Sequence, residues 1–367
     1  MPFTLRAALQ VAFVPLAVGV MAAPVLAQTK EEKKAAEAKL QSERLVLRVV
    51  DAAMTGKAAP GGYSIKANAK DEPVASPADD VQITWRHDVF KAVQGKVFVP
   101  FTLTFAPGKT LPNPLAIYVR AVPKGSAEIT KDREKQPYEF EQVFSGDAAA
   151  PAAGKPMEIT RRLVVSPGDL DVYVAVQPGP GAEPLKNDVM VKGVLKKFDL
   201  TTPNLWTDEF TTSSLLLIDK IEPLKEQPTQ DTIVFKPYTF TGADMVLAKD
   251  NEFKKTEELT LYFHVYNPVL ENKKPDVTIE YEFLKKEGGE EKPALTEDGK
   301  KLIYNPQKFN AQTLPPTWDP EMGFQVAPGF AIPLNLFPLG EYKINIKITD
   351  NKAQKSITRD VTFKVVA

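Results

Sequence analysis

Cysteine is absent from the 367-residue chain, histidine is confined to His87 and His264, and neither sign of charge dominates, with 46 basic against 47 acidic residues. Each shortage excludes something. Without cysteine there is no disulfide framework, no thiolate metal centre and no cysteine-linked lipid. With two histidines, a protein zinc site would need both plus a carboxylate to converge from distant segments. The missing basic surplus removes the electrostatic footprint of a nucleic-acid or anionic-lipid binder. No G-x-S-x-G occurs, and neither histidine stands in a triad context, so nothing points to a serine hydrolase.

The N-terminus is informative. Arg6 is the single charged side chain before Lys30, and it precedes an apolar run over residues 7–26. Val25-Leu26-Ala27 offers a peptidase site, so residues 1–27 read as a secretory signal peptide. The rival is an uncleaved membrane anchor; Pro15, Gly19 and Pro24 interrupt the run and favour cleavage. Export without cysteine suits a bacterial periplasm or cell surface. A chain with no disulfides must then rely on cores of ordinary size, and its length allows two domains.

Residues 28–44 follow as a charged helical spacer, rich in Ala, Glu and Lys but carrying only Leu40 as a large apolar side chain. From Leu45 the pattern turns to alternation, and 45–51 (LVLRVVD) reads as a first strand. Residues 52–80 read as a long loop with one short strand near Tyr63 and Ile65. The strongest strand signal is 96–105, where Val97, Val99, Phe101, Leu103 and Phe105 share one face. Further runs at 114–122, 138–144, 159–165, 170–176 and 189–198 keep the spacing of antiparallel β domains. A strand at 214–218 closes the first half, 45–222. The polar stretch 223–230, with two prolines, is the expected linker to a second domain over 231–367. There 259–265, 277–283, 342–348 and 357–365 alternate again. The 32 prolines belong at strand ends and turns.

Near the C-terminus, Pro338-Leu339-Gly340-Glu341-Tyr342 opens an alternating strand containing Ile344, Ile346 and Ile348 and ending at Thr349-Asp350. A glycine two residues before such a tyrosine is the corner pattern of immunoglobulin-like sandwiches, in which the tyrosine hydroxyl bonds back to upstream backbone. Gly340 and Tyr342 are therefore expected to form a structural corner. Pro167-Gly168-Asp169-Leu170 is a weaker parallel in the first half, with Leu170 at the tyrosine position. The stretch resembles the last two strands of bacterial immunoglobulin-like domains. On a larger scale 216–223, 259–268 and 340–365 resemble the β-sandwich region of uncharacterised exported acidobacterial proteins, some of which carry a GWxTD domain. The Gly-Trp-x-Thr-Asp motif itself is absent, since Trp206-Thr207-Asp208 lacks the glycine and the spacing. The resemblance implies an all-β protein, two antiparallel immunoglobulin-like sandwiches in tandem behind the signal and helix. It implies no activity.

Candidate site residues each have a plain structural role to set beside a functional one. Glu280 and Glu282 share a strand face, but opposite Ile279, Tyr281 and Phe283 they read as the solvated face of that strand. Asp79-Asp80 and Asp169-x-Asp171 are the only hint of a cofactor, a weak one for Ca²⁺, because neither has the D-x-[DN]-x-[DN]-G pattern. Trp206 and Trp318 lie in loops, where a tryptophan plugs the end of a sandwich or contacts a ligand or partner. The proline-stiffened stretches 314–316 and 330–337 add apolar loop surface of the kind used at interfaces. The expected function is a non-enzymatic envelope protein, an interaction or structural module working through loops and strand edges. Its partner is an envelope protein or polysaccharide, with no nucleic acid and no membrane span after signal cleavage. The alternative is a carbohydrate-binding protein using Trp206 or Trp318.

Overall fold

The computed structural model describes residues 29–68, 70–76, 82–106, 114–129, 138–146, 156–226, 236–240, 242–320 and 324–367. The expected signal peptide, Asp79-Asp80 and residues 227–230 of the expected linker lie outside these. One α-helix and many antiparallel strands make the described chain mostly β, in several sheets.

Helix α1 spans Lys30–Met54 and opens with a capping box between Thr29 and Glu32, each side chain bonded to the other's backbone N–H. It runs well past residue 44 and corrects the strand expected at 45–51. Leu45, Val46, Val49, Val50 and Met54 form one buried helical stripe. A short valine-rich run fits either period, and here a sheet face waiting to be covered decides for the helix. That makes α1 a packed layer and not an exposed spacer.

In the first half the strands are β1 (Gly61–Lys66), β2 (Val74–Ala75), β3 (Ile83–His87), β4 (Phe90–Lys91) and β5 (Val97–Phe105). They continue as β6 (Leu115–Pro123), β7 (Phe140–Gly146), β8 (Met157–Val165), β9 (Gly168–Pro178) and β10 (Met190–Thr202). One sheet has the order β2-β1-β10-β9-β6-β7; in the other, β5 lies between β8 and the β3/β4 pair. Alternation explains the packing. Val97, Val99, Phe101, Leu103 and Phe105 meet Ile117, Val119, Val172 and Val174 between the sheets. Tyr118, Val122, Tyr173 and Ala175 point the other way and are covered by α1. Buried Arg120 ties the helix down. Its guanidinium binds Asp51 at 2.6 Å and Glu141 at 2.8 Å, donates to Tyr118 Oη at 2.7 Å, and stacks 4.0 Å from the Tyr138 ring.

The second half holds β11 (Thr211–Thr212), β12 (Leu216–Pro223), β13 (Thr239–Phe240), β14 (Ala243–Leu247), β15 (Glu252–Lys254), β16 (Glu258–Tyr262) and β17 (Val265–Tyr266). After these come β18 (Val277–Glu287), β19 (Glu290–Pro293), β20 (Gln307–Phe309), β21 (Gly329–Pro333), β22 (Gly340–Asp350) and β23 (Lys355–Val366). Its sheets are β13-β14-β12-β16-β21 and β15-β23-β22-β18-β19, with β20 beside β18. Leu259, Leu261 and Phe263 face Ile279, Phe283, Ile344 and Ile346 between them. The strand expected to close the first half at 214–218 instead pairs, as β12, with β14 and β16. The change of sheets therefore falls after β10 and before β12, upstream of 223–230.

The two halves repeat one plan. β5 pairs β3 and β8 as β16 pairs β12 and β21, and β10-β9-β6-β7 repeats as β23-β22-β18-β19. Both β9 and β22 begin at a glycine with φ near +140°, Gly168 at +137° and Gly340 at +149°. Two residues after Gly340, Tyr342 Oη donates to the Pro338 carbonyl at 2.6 Å. Between the halves, Phe90 and Phe98 of the first pack against Leu216, Ile218, Tyr238, Met245 and Tyr262 of the second. This apolar cluster joins the halves and positions the site.

Candidate functional site

The segment 88–91 of the first half is bonded to the second at several points. Val89 N donates to Ser214 Oγ at 2.9 Å and Lys91 N to Tyr266 Oη at 3.1 Å, while Tyr238 Oη donates to buried Asp88 at 2.8 Å. Burial pushes the Asp88 carboxyl up, against the opposing pull of that tyrosine bond.

Beside Phe90 stands His264, half-buried where the run expected as one strand over 259–265 breaks between β16 and β17. Phe90, Phe240, Tyr262 and Tyr266 surround its imidazole, all with ring centroids 5.3–5.9 Å away and steep interplanar angles. Its two nitrogens face Tyr262 Oη at 2.8 Å and Tyr266 Oη at 3.3 Å. Burial alone lowers its pKa to about 4, so the ring is neutral at pH 7. His87 is held separately, accepting from Trp85 Nε1 at 2.9 Å. The two histidines are not brought together, and among the described residues no three of His, Asp and Glu form a metal-binding group.

Lys91 leads to the surface. Its ammonium lies 4.4 Å from the centre of the Trp206 ring and 5.9 Å from that of Tyr266, and it donates to Asn267 Oδ1 at 3.1 Å. Asn267 tolerates the positive φ of +59° that turns the chain there, and its amide also donates to the Glu209 carbonyl at 2.9 Å. Trp206 Nε1 donates to Lys96 O at 2.8 Å, which fixes the indole over the β4–β5 turn. Desolvation lowers the pKa of Lys91. Next to it opens a cleft of about 170 Å³ lined by Asn267, Pro268, Leu270, Trp318 and Phe324 among others. Two of its lining side chains are exposed and apolar, Phe324 at 48% and Leu270 at 42%, and Trp206 beside Lys91 is 43% exposed.

The two loop tryptophans thus border one region in different roles. Trp206 is a surface residue. Trp318 is only 8% exposed and belongs to the second core; its Nε1 donates to Gln325 O at 3.2 Å. Gly340 and Tyr342 are apart from the cleft, in the corner already described. Glu280 and Glu282 are exposed beside Lys347 and Asn345. Asp171 is bonded by Lys197 at 2.9 Å and by the Gly125 N–H, and Asp169 by Thr201, so an ammonium stands where a cation would sit.

No protein-family model matches the chain, and no curated protein matches it either. No helix among the described residues is long and apolar enough to cross a membrane. Sequence reading missed Lys91, Leu270 and Phe324. Their signal was weak: no local spacing links Lys91 to Trp206, and isolated apolar residues in loops are common.

Proposed function

We propose that the protein is exported, non-enzymatic and built of two immunoglobulin-like sandwiches in tandem, and that it recognises an envelope protein through the surface at their junction. One observation carries the recognition reading: exposed Leu270 and Phe324 line a cleft that also holds Lys91, whose ammonium lies over the exposed Trp206 ring. Scattered apolar residues need no explanation, but a contiguous group rimmed by polar ones marks an interaction surface. The aromatic and proline content of the cleft fits such a role, because these side chains lose little entropy on binding.

Support for the sandwich reading comes from the repeated strand order, the parallel pairing of β15 with β23, and the Tyr342 bond to Pro338. The resemblance to the sandwich region of exported acidobacterial proteins agrees with it, as does the apolar N-terminal run. Periplasm or cell surface is the proposed compartment.

The carbohydrate reading rests on Trp206. It is the weaker one, since Lys91 covers one indole face and Lys96 O takes up the N–H. A single experiment separates the two. The protein lacking residues 1–27 and its Leu270→Ser/Phe324→Ser variant are immobilised against envelope lysate of the host and, in parallel, purified cell-wall glycan. A stoichiometric protein captured by the parent and lost with the variant supports the proposal. Equal capture by both defeats the junction surface, and glycan binding abolished by Trp206→Ala promotes the carbohydrate reading.

A further inference from the structure

The recognition surface contains, among the described residues, an unbalanced charge. Among the described residues no carboxylate lies within ion-pair distance of Lys91, whereas Lys96 is paired with Glu139 at 2.9 Å and Lys236 with Asp244 at 3.2 Å. The Lys91 ammonium has three N–H donors and spends one, on Asn267 Oδ1. The faces of Trp206 and Tyr266 hold the charge in place without neutralising it. A cation partly removed from water and lacking a counter-ion gains from an anion that brings one. Immediately beside it, Leu270 and Phe324 leave about half of their surface to solvent over the edge of Trp318.

We propose that this cleft binds a peptide segment in which a carboxylate stands next to a large apolar side chain. The carboxylate sits on Lys91, and the apolar group lies against Leu270, Phe324 and Trp318. This rests on the interaction-module reading and names the chemistry of the partner. A peptide fits better than an acidic sugar. The polar groups that would read sugar hydroxyls are already used: the Asn267 amide on Glu209 O, its Oδ1 on Lys91, and Trp206 Nε1 on Lys96 O. What remains is one charge and an apolar wall. The carboxylate has two sources, an Asp or Glu side chain and a chain terminus, and both present the same oxygens to the ammonium.

Random-peptide display on the folded protein tests this, with libraries presenting internal segments and free C-termini. Selected peptides are then titrated by calorimetry against the parent and against Lys91→Met, Lys91→Arg and Phe324→Ser, each first checked for unchanged circular dichroism. The expected sequences place Asp, Glu or a terminal carboxylate beside Phe, Leu, Ile or Trp. Affinity should fall about tenfold or more in Lys91→Met and in Phe324→Ser, and recover in Lys91→Arg. Amidation of the terminus tells the two carboxylate sources apart. Selected sequences without a carboxylate, affinity unmoved by Lys91→Met, or a library that yields no binder would each overturn the inference. Peptides that ignore Lys91→Met yet fail on Leu270→Ser would sink it while leaving the junction surface standing. Binding of a uronate oligosaccharide and of no peptide would sink both.

Discussion

Acidification should loosen this protein through one residue. His264 has an ordinary pKa of 6.5 and a folded value of about 4, lowered by burial among Phe90, Phe240, Tyr262 and Tyr266. The folded value is the depressed one, so between pH 6.5 and 4 the unfolded chain binds the extra proton. The contribution of His264 is complete above pH 6.5, is lost as the pH falls towards 4, and changes no further below that. The interval corresponds to about 3 kcal/mol, a large share of the stability of a typical domain. His264→Gln keeps a hydrogen-bonding side chain in the cage and cannot titrate. Urea unfolding followed by circular dichroism at several pH values between 4 and 7.5 gives stability for parent and variant. His87, whose pKa burial also lowers, and Asp88, whose pKa burial raises, are present in both and cancel in the difference. The parent should lose about 3 kcal/mol more than the variant on going from pH 7 to pH 4. Parallel curves would refute a neutral, buried His264. Because the cage belongs to both halves, the loss should coincide with their separation, visible as a second transition.

Three further substitutions probe the frame. Arg120→Ala leaves the Glu141 carboxylate buried without its guanidinium and frees α1 from its sheet; thermal denaturation should show a loss of about 3–5 kcal/mol. Tyr342→Phe removes the donor to Pro338 O and should lower urea stability by about 1–2 kcal/mol. At Gly193 an added Cβ would lie 2.4 Å from the Tyr63 ring and 2.5 Å from Val176 O. Gly193→Ala should therefore push β1 off β10 and raise hydrogen exchange along 61–66, at a cost of about 1–3 kcal/mol.

Much of the β framework was legible because alternation is a direct record of one buried face. The run 96–105 and the isoleucines of β22 fall on the cores as their period requires. The same rule failed at 45–51, where a valine-rich segment became the second half of α1. That error hid a second one. With α1 understood as a spacer, nothing explained why β6 is buried on both faces, with Tyr118 and Val122 as covered as Ile117 and Val119. The position of β12 was hidden for another reason, since strand propensity carries no information about which sheet a strand will join. Of the candidate site, the two loop tryptophans stood out by composition, and one of them is buried in a core. Lys91 acquires its role only when a loop 115 residues onward in sequence, counted from 91 to 206, folds back over it.

The most direct test of the junction as a recognition surface is hydrogen–deuterium exchange of the protein with its captured partner bound. Protection is predicted over 89–96, 204–210, 265–270 and 324–327, with the outer face of α1 and the β19 edge unchanged. Protection confined to the outer face of α1 and the β19 edge, with the Lys91 region exchanging as in the free protein, would contradict the account.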